Sequence, residues 1–334
     1  MRKPNAVAMV LVNEDLCARI WAPRYLSFIT ATISGALSVI TVTGNLMVCV
    51  SVVKDPYKEL RTPFNFYIIN LALADLIVGL VTEPIAVWVH IREGFSLTME
   101  NVWIIHMSYF ISCTASVLSL CALTMDRYNA ITTPLKHRVS GLSLKRTLFT
   151  SGFIWIFSLS IPFIYFKLGF LTYSLVFANT AVSITFITLI FAYVRIFQTL
   201  TAQVKRWSRK DKKYGCRTRR NAILREERIT KVFLLMLVLF VSCYSPSCAM
   251  IYVMNLCKSC SCYTLHWLRD LQFLFVLLSS SLNPFVYAWR IPPFRRAFMT
   301  LMKQKKDLST RLVANISDAT SSPKEIENFE VKNK

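Results

Sequence analysis

Charge is scarce in this chain, and acid is scarcer than base. Only 17% of its 334 residues are Asp, Glu, Lys or Arg, and 18 Asp+Glu face 39 Lys+Arg, giving a net charge of +21. A soluble domain carries nearer a quarter charged residues, so a water-soluble globule is disfavoured, as is a disordered chain. Glycine and proline are few, 8 and 12, which excludes collagen-like and low-complexity sequence. The 10 cysteines are too dilute for a disulfide scaffold. No Gly-x-Gly, Gly-Lys-Ser/Thr or His-Glu-x-x-His occurs, so neither a phosphate cradle nor a zinc-protease site is signalled.

What the chain has in quantity is apolar sequence, 54% of residues. A helix crossing a ~30 Å hydrocarbon core needs roughly 20 mostly apolar residues. Stretches without Asp, Glu, Lys or Arg run Tyr25–Val53, Asn101–Met125, Thr147–Phe166, Leu168–Val194, Val232–Cys257 and Leu271–Trp289. A seventh, Pro63–Ile91, is interrupted only by Asp75 and Glu83. All are apolar nearly all round, as lipid-facing helices must be. The expected fold is an all-α membrane protein, a seven-transmembrane helix bundle over residues 25–289, preceded by an extracellular segment, 1–24.

The bases choose the orientation. With the N-terminus outside, the inner segments hold 31 of the 39 Lys+Arg, and the positive-inside bias puts the C-terminus in the cytosol. The net charge is then a topology signal and no nucleic-acid partner is expected. The basic run Lys205–Arg220 reads as a loop against anionic membrane lipid. Residues 304–334 form a polar cytoplasmic tail with Ser309, Thr310, Ser317, Thr320, Ser321 and Ser322, a composition suited to disorder and phosphorylation.

Ionisable groups at bilayer depth are costly and therefore mark function by default. Asp75 sits mid-span in Asn70-Leu71-Ala72-Leu73-Ala74-Asp75, with Glu83 eight residues further along the same helix. Asp126-Arg127-Tyr128 closes the third span, and Asn283-Pro284 interrupts the last, where proline removes a backbone donor.

These stretches, with Gly44-Asn45, Trp155, Tyr193, Cys243-Tyr244-Ser245-Pro246 and Asn283-Pro284-Phe285-Val286-Tyr287, resemble the ordered motifs of rhodopsin-like (class A) G protein-coupled receptors. Phe294-Arg295-Arg296-Ala297-Phe298 resembles the family's short amphipathic eighth helix, expected at 290–303. The resemblance covers about residues 30–302. It implies a multi-pass plasma-membrane receptor, not an enzyme, that turns binding of an extracellular ligand into activation of a heterotrimeric G protein. Arg127 would pair with Asp126 and with Glu226 at the foot of span six, holding the cytosolic face shut. Activation would swing span six, with Tyr244 and Pro246, outward, and Tyr193 and Tyr287 would turn in to support Arg127. Asp75, Ser116, Ser279 and Asn283 match the family's sodium pocket, and their oxygens suit a hard cation; an ion-free hydrogen-bond network is the alternative. No other cofactor is implied. Arrestin and receptor kinases would be partners through the Ser/Thr-bearing tail.

Four departures bear on the ligand. Val102 stands where the family's span-three Cys is expected, and the second outer loop, Tyr165–Tyr173, is short and lacks Cys. Thr185 replaces the usual span-five Pro, and Tyr244 the usual span-six Trp. Tyr109 stands where amine receptors carry an Asp, and no Lys for retinal lies between His266 and Trp289. The expectation is therefore a peptide, nucleoside or lipid ligand, not a typical amine or retinal, in a pocket bounded by Glu83, His106, Tyr109, Cys113, Tyr244, Asp270 and Phe273. Cys17, Cys257, Cys260 and Cys262 lie on the expected outer side, an even set that points to disulfides. One bridge within the third outer loop and one to Cys17 are expected, with zinc beside His266 as the alternative. The missing span-three Cys, tiny second loop, absent span-five Pro and Cys-rich third loop together resemble the melanocortin receptor group, although Asn283 stands where that group has Asp. A non-signalling decoy receptor and a transporter are the competing classes; the intact Asp126-Arg127-Tyr128 weighs against the first and the lack of internal repeats against the second.

Overall fold

The computed structural model describes residues 20–97, 101–132, 143–211, 217–257 and 259–303, without the side chains of 63, 143–144, 200 and 203–234. Cys17 and the tail 304–334 lie outside the described residues, and of Glu226 only the backbone is described. Seven helices are long and apolar enough to cross a membrane: α1 Arg24–Lys54, α2 Phe64–Gly94, α3 Trp103–Thr132, α4 Lys145–Leu168, α5 Phe170–Thr199, α6 Leu235–Leu256 and α7 Cys262–Arg290. A further helix, α8, occupies 292–303. Among the described residues there is no strand. The stretch read as a basic loop is largely helical, because α5 continues to Asp211 and the α6 helix begins at Arg217.

Apolar side chains point both ways. Phe149, Ile156, Ile187, Phe191 and Phe285 are exposed on the outer surface, while Ile68, Phe110, Leu123 and Tyr287 are buried along the bundle axis. A surface this greasy needs lipid around it.

Polar side chains staple α1, α2 and α7 to one another. The Pro284 ring inside α7 has no N–H to give the Ser280 carbonyl, and Asn45 Nδ2 donates to that carbonyl at 3.2 Å instead. Gly44 makes the approach feasible: a Cβ there would lie 2.8 Å from Pro284 Cγ. Ser38 Oγ donates to the Gly79 carbonyl at 2.8 Å, inside a π-helical turn, Val78–Thr82, that lies directly ahead of Pro84. A second π turn, Ala178–Val182, interrupts α5 after its first two turns, Phe170–Phe177. There Thr185, in place of a proline, donates to the Ala181 carbonyl at 2.7 Å and accepts from Cys121 of α3.

The junction of α4 and α5 is shorter than the expected loop. A 3-10 turn, Ile161–Ile164, and a last helical turn, Tyr165–Leu168, carry α4 to its end, and Gly169 alone separates it from α5. Its φ of 74° and ψ of 172° fall in a region essentially reserved for glycine. Tyr57 and Glu59, between α1 and α2, hold α8 through Thr300 and Arg296, at 2.8 and 2.6 Å.

Candidate functional site

At the face of the bundle where α1 begins, a cleft of about 470 Å³ opens between α2, α3, α5 and α7. Four of the residues singled out in the sequence line it: His106, Tyr109, Asp270 and Phe273. His106 is fixed from two sides. Its Nδ1 lies 2.8 Å from the Tyr165 hydroxyl, and its ring stacks on Phe170 with centroids 4.3 Å apart. The Tyr109 and Phe273 rings face each other at 5.4 Å. Val102, where the bridging Cys was expected, packs with Ala86, Val89 and Ile105, so apolar contact joins α2 to α3 there.

The other three expected pocket residues lie outside that wall. Glu83, fully buried, turns toward α1 and α7, where Thr41 Oγ1 donates to its Oε1 at 3.3 Å and stands 2.8 Å from Ser281 Oγ. The π turn just before Glu83 accounts for this direction, since one extra residue in a turn rotates everything after it by about 100°. Tyr244 and Cys113 are buried against each other below the cleft, with Tyr244 stacked on Phe240 at 4.3 Å.

One group in the cleft wall escaped the sequence reading. Arg269 donates from both terminal nitrogens to the two Glu93 oxygens, at 2.8 Å each, and from Nε to Asp270 Oδ1 at 2.7 Å. Ser27 Oγ donates to Glu93 Oε2 at 3.1 Å and Thr30 Oγ1 to Asp270 Oδ2 at 3.0 Å. His90 Nδ1 stands 3.2 Å from Glu93 Oε2 and 3.9 Å from Asp270 Oδ2. Glu93 and Asp270 are 3% and 1% exposed. His90, Glu93 and Asp270 are also close enough to one another to hold a metal ion. The signal was available in the sequence as His90-x-x-Glu93 facing Arg269-Asp270, but charged residues there read as the ends of spans.

Halfway down the bundle, Asp75 is 1% exposed, accepts from Asn283 Nδ2 at 2.8 Å, and has Ser116 Oγ at 3.5 Å. These residues, with Ser279, Ser280 and Tyr244, line a small cavity. Buried Asn45 Oδ1 has no hydrogen-bond partner nearby. One carboxylate with hydroxyl and amide oxygens around a small cavity fits a hard monovalent cation.

At the far face, Arg127 donates to Asp126 Oδ2 at 2.8 Å, and its guanidinium lies 4.0 Å over the Phe64 ring. Tyr287 is fully buried beside Phe294 of α8, while Tyr193 is half-buried against Phe197. The two tyrosines are thus not brought together, and the Glu226 side chain lies outside the described residues. Pro246 lies inside the α6 helix, two residues beyond Tyr244. Cys257 and Cys260 form a disulfide next to α7, and Cys262 is disulfide-bonded as well.

Among curated proteins the chain is similar to the octopamine receptor of Bombyx mori, 38% identical over 141 residues, 42% of this chain and 28% of that one. It is 25% identical over 306 residues to octopamine receptor beta-2R of Chilo suppressalis, covering 78% and 76%. Against the D(5)-like dopamine receptor of Takifugu rubripes it is 26% identical over 331 residues, covering 85% and 69%. The chain therefore spans little more than a quarter of the length of the first of these. All three relatives are named for amines, which overturns the expectation of a ligand other than an amine. That expectation rested on departures from the family pattern, Tyr109 in place of an Asp among them, whereas the cleft has its carboxylate on α7, at Asp270. The family model described as the 7 transmembrane receptor (rhodopsin family) matches residues 44–170 and 168–287, so the chain belongs to the rhodopsin family of seven-transmembrane receptors, a multi-pass plasma-membrane protein and not an enzyme.

Proposed function

We propose that the chain is a cell-surface receptor that converts binding of a small organic amine in the cleft into activation of a heterotrimeric G protein. The cleft faces outside and the Asp126–Arg127 end faces the cytosol, in keeping with the placement of the basic residues. The observation that carries this reading is the arrangement along one axis: an aromatic cleft with a carboxylate at one end and the Asp126–Arg127 pair at the other. A ligand can shift a two-state bundle only through different affinities for its two states. In the closed state Arg127 is held by Asp126, with Glu226 of α6 as the further partner. In the open state α6, hinged near Tyr244 and Pro246, has swung outward, and Tyr193 and Tyr287 have turned toward Arg127. α8 lies along the membrane surface. Receptor kinases and arrestin act on the Ser/Thr-bearing tail.

Cells expressing the chain are expected to give cAMP, calcium or GTP-exchange responses to one of octopamine, tyramine or dopamine and none to adenosine. Glu226→Ala is expected to raise ligand-free signalling. Silence toward all three amines, in the wild type and in Glu226→Ala alike, would count against the reading. Sodium at Asp75, with Ser116, Ser279 and Asn283 as ligands, favours the closed state. Replacing sodium by a large organic cation is expected to raise amine affinity several-fold in wild-type membranes and to change nothing in Asp75→Asn.

A further inference from the structure

We propose that Glu83 is a proton-binding site: a neutral carboxylic acid whose O–H heads a hydrogen-bond chain through Thr41 of α1 to Ser281 of α7. The inference is independent of the amine reading and concerns the frame that the three helices share.

Burial is the first support. Glu83 is 0% exposed, and its Oε2 has no hydrogen-bond partner. Among the described residues no Lys, Arg or His pairs with it, and the Thr41 hydroxyl, 3.3 Å from Oε1, is its one side-chain partner. An ionised carboxylate kept from water without a counter-charge is far more costly than a neutral acid in the same place. Asp75, eight residues back on the same helix, is a second acid and brings no relief. Glu83 lines neither the cleft nor the cavity at Asp75, and a proton, unlike a coordinated metal ion, needs no cavity.

The second support is the direction of the hydroxyls. Thr41 Oγ1 stands 2.8 Å from Ser281 Oγ, and Ser281 Oγ stands 3.4 Å from the Leu277 carbonyl oxygen. A hydroxyl has one hydrogen to give. With Glu83 ionised, Thr41 gives its hydrogen to Oε1, Ser281 must give its own to Thr41, and the Leu277 carbonyl receives none from Ser281 Oγ. With a proton on Oε1, donation runs one way, from Glu83 to Thr41, to Ser281, to the Leu277 carbonyl, and each link donates once. Hydrogen bonds aligned in this way reinforce one another, and these tie α2 to α7 through α1.

The test is infrared spectroscopy of the purified receptor at neutral pH, where surface acids are ionised and add nothing to the carbonyl stretch of a protonated carboxyl group. That band is expected to survive Asp75→Asn and to disappear when Glu83→Gln is added. Its absence in Asp75→Asn alone overturns the inference, even where the double variant does not fold. Thermal melting supplies the second measurement. The Gln amide is uncharged and can donate to Thr41 as the acid does, so Glu83→Gln is expected to melt with the wild type. Glu83→Leu, which cannot donate, is expected to melt several degrees lower. A Glu83→Gln receptor that melts as low as Glu83→Leu overturns the inference, because it shows that the charge is needed. So does a sodium-dependent rise in melting temperature that persists in Asp75→Asn and vanishes in Glu83→Gln, which would place a metal ion where the proton is assigned.

Discussion

Asn45 owes its position to a proline on another helix. Pro284 leaves the Ser280 carbonyl without its helical partner, and Asn45 supplies the missing N–H across the α1–α7 contact, while Gly44 gives the ring room. The two adjacent residues thus do one job, which explains why Gly-Asn in the first span accompanies Asn-Pro in the last. Asn45→Leu should leave a buried acceptor bare at a cost of roughly 1–3 kcal/mol, seen as a lower melting temperature of the purified receptor in detergent with unchanged helical content. An unchanged melt would mean that water had taken over the carbonyl. At this scale the residues alone were informative about which positions matter, and only the family resemblance supplied partners for them. Asp75, Asn283 and Arg127 stand out because lipid penalises them, yet their partners lie up to 208 positions away, beyond the reach of any local pattern.

Helix ends are where the reading of apolar runs falls short. It stops a span at the first charged residue, so Glu93 and Arg269 read as loop residues, whereas α2 and α7 continue past them. The seven spans themselves were legible, since an unbroken apolar stretch of about 20 residues has few other uses. A π turn has no such signature. The one at Val78–Thr82 turns Glu83 away from the cleft, and no spacing rule in the sequence marks it. Gly169 was legible only as one small residue in a short loop; its backbone is what matters, because no neighbour lies within 4 Å of a Cβ built there. Gly169→Ala should therefore cost roughly 1–3 kcal/mol through strain alone. Hydrogen exchange is expected to show it as faster opening of Phe170–Phe177, the first helical segment of α5, with the α1–α2–α7 amides unaffected.

Across the whole molecule, ionic and hydrogen-bonded contacts are unevenly shared. α1, α2 and α7 are joined by Arg269 with Glu93 and Asp270, by Ser27 and Thr30, by Thr41 with Glu83 and Ser281, and by Asp75 with Asn283. Among the described side chains, α6 reaches its neighbours through polar contacts only at Ser247 with Gln272, Tyr252 with Asn179 and Tyr244 with Cys113; elsewhere it relies on apolar packing. Removing one member of a buried ion cluster leaves charge unpaired, so Arg269→Met should destabilise the receptor by roughly 3–5 kcal/mol. Surface expression and thermal melting would register it, and a gain in stability would show the cluster to be a burden on the fold. The uneven sharing also divides labour between the helices. α1, α2 and α7 behave as a stator, bolted by directional bonds that break abruptly when misaligned. The described part of α6 is seated largely on apolar contacts, which slide because they have no preferred angle. Whatever enters the cleft therefore meets, on its α2 and α7 side, a wall that cannot give without breaking bonds.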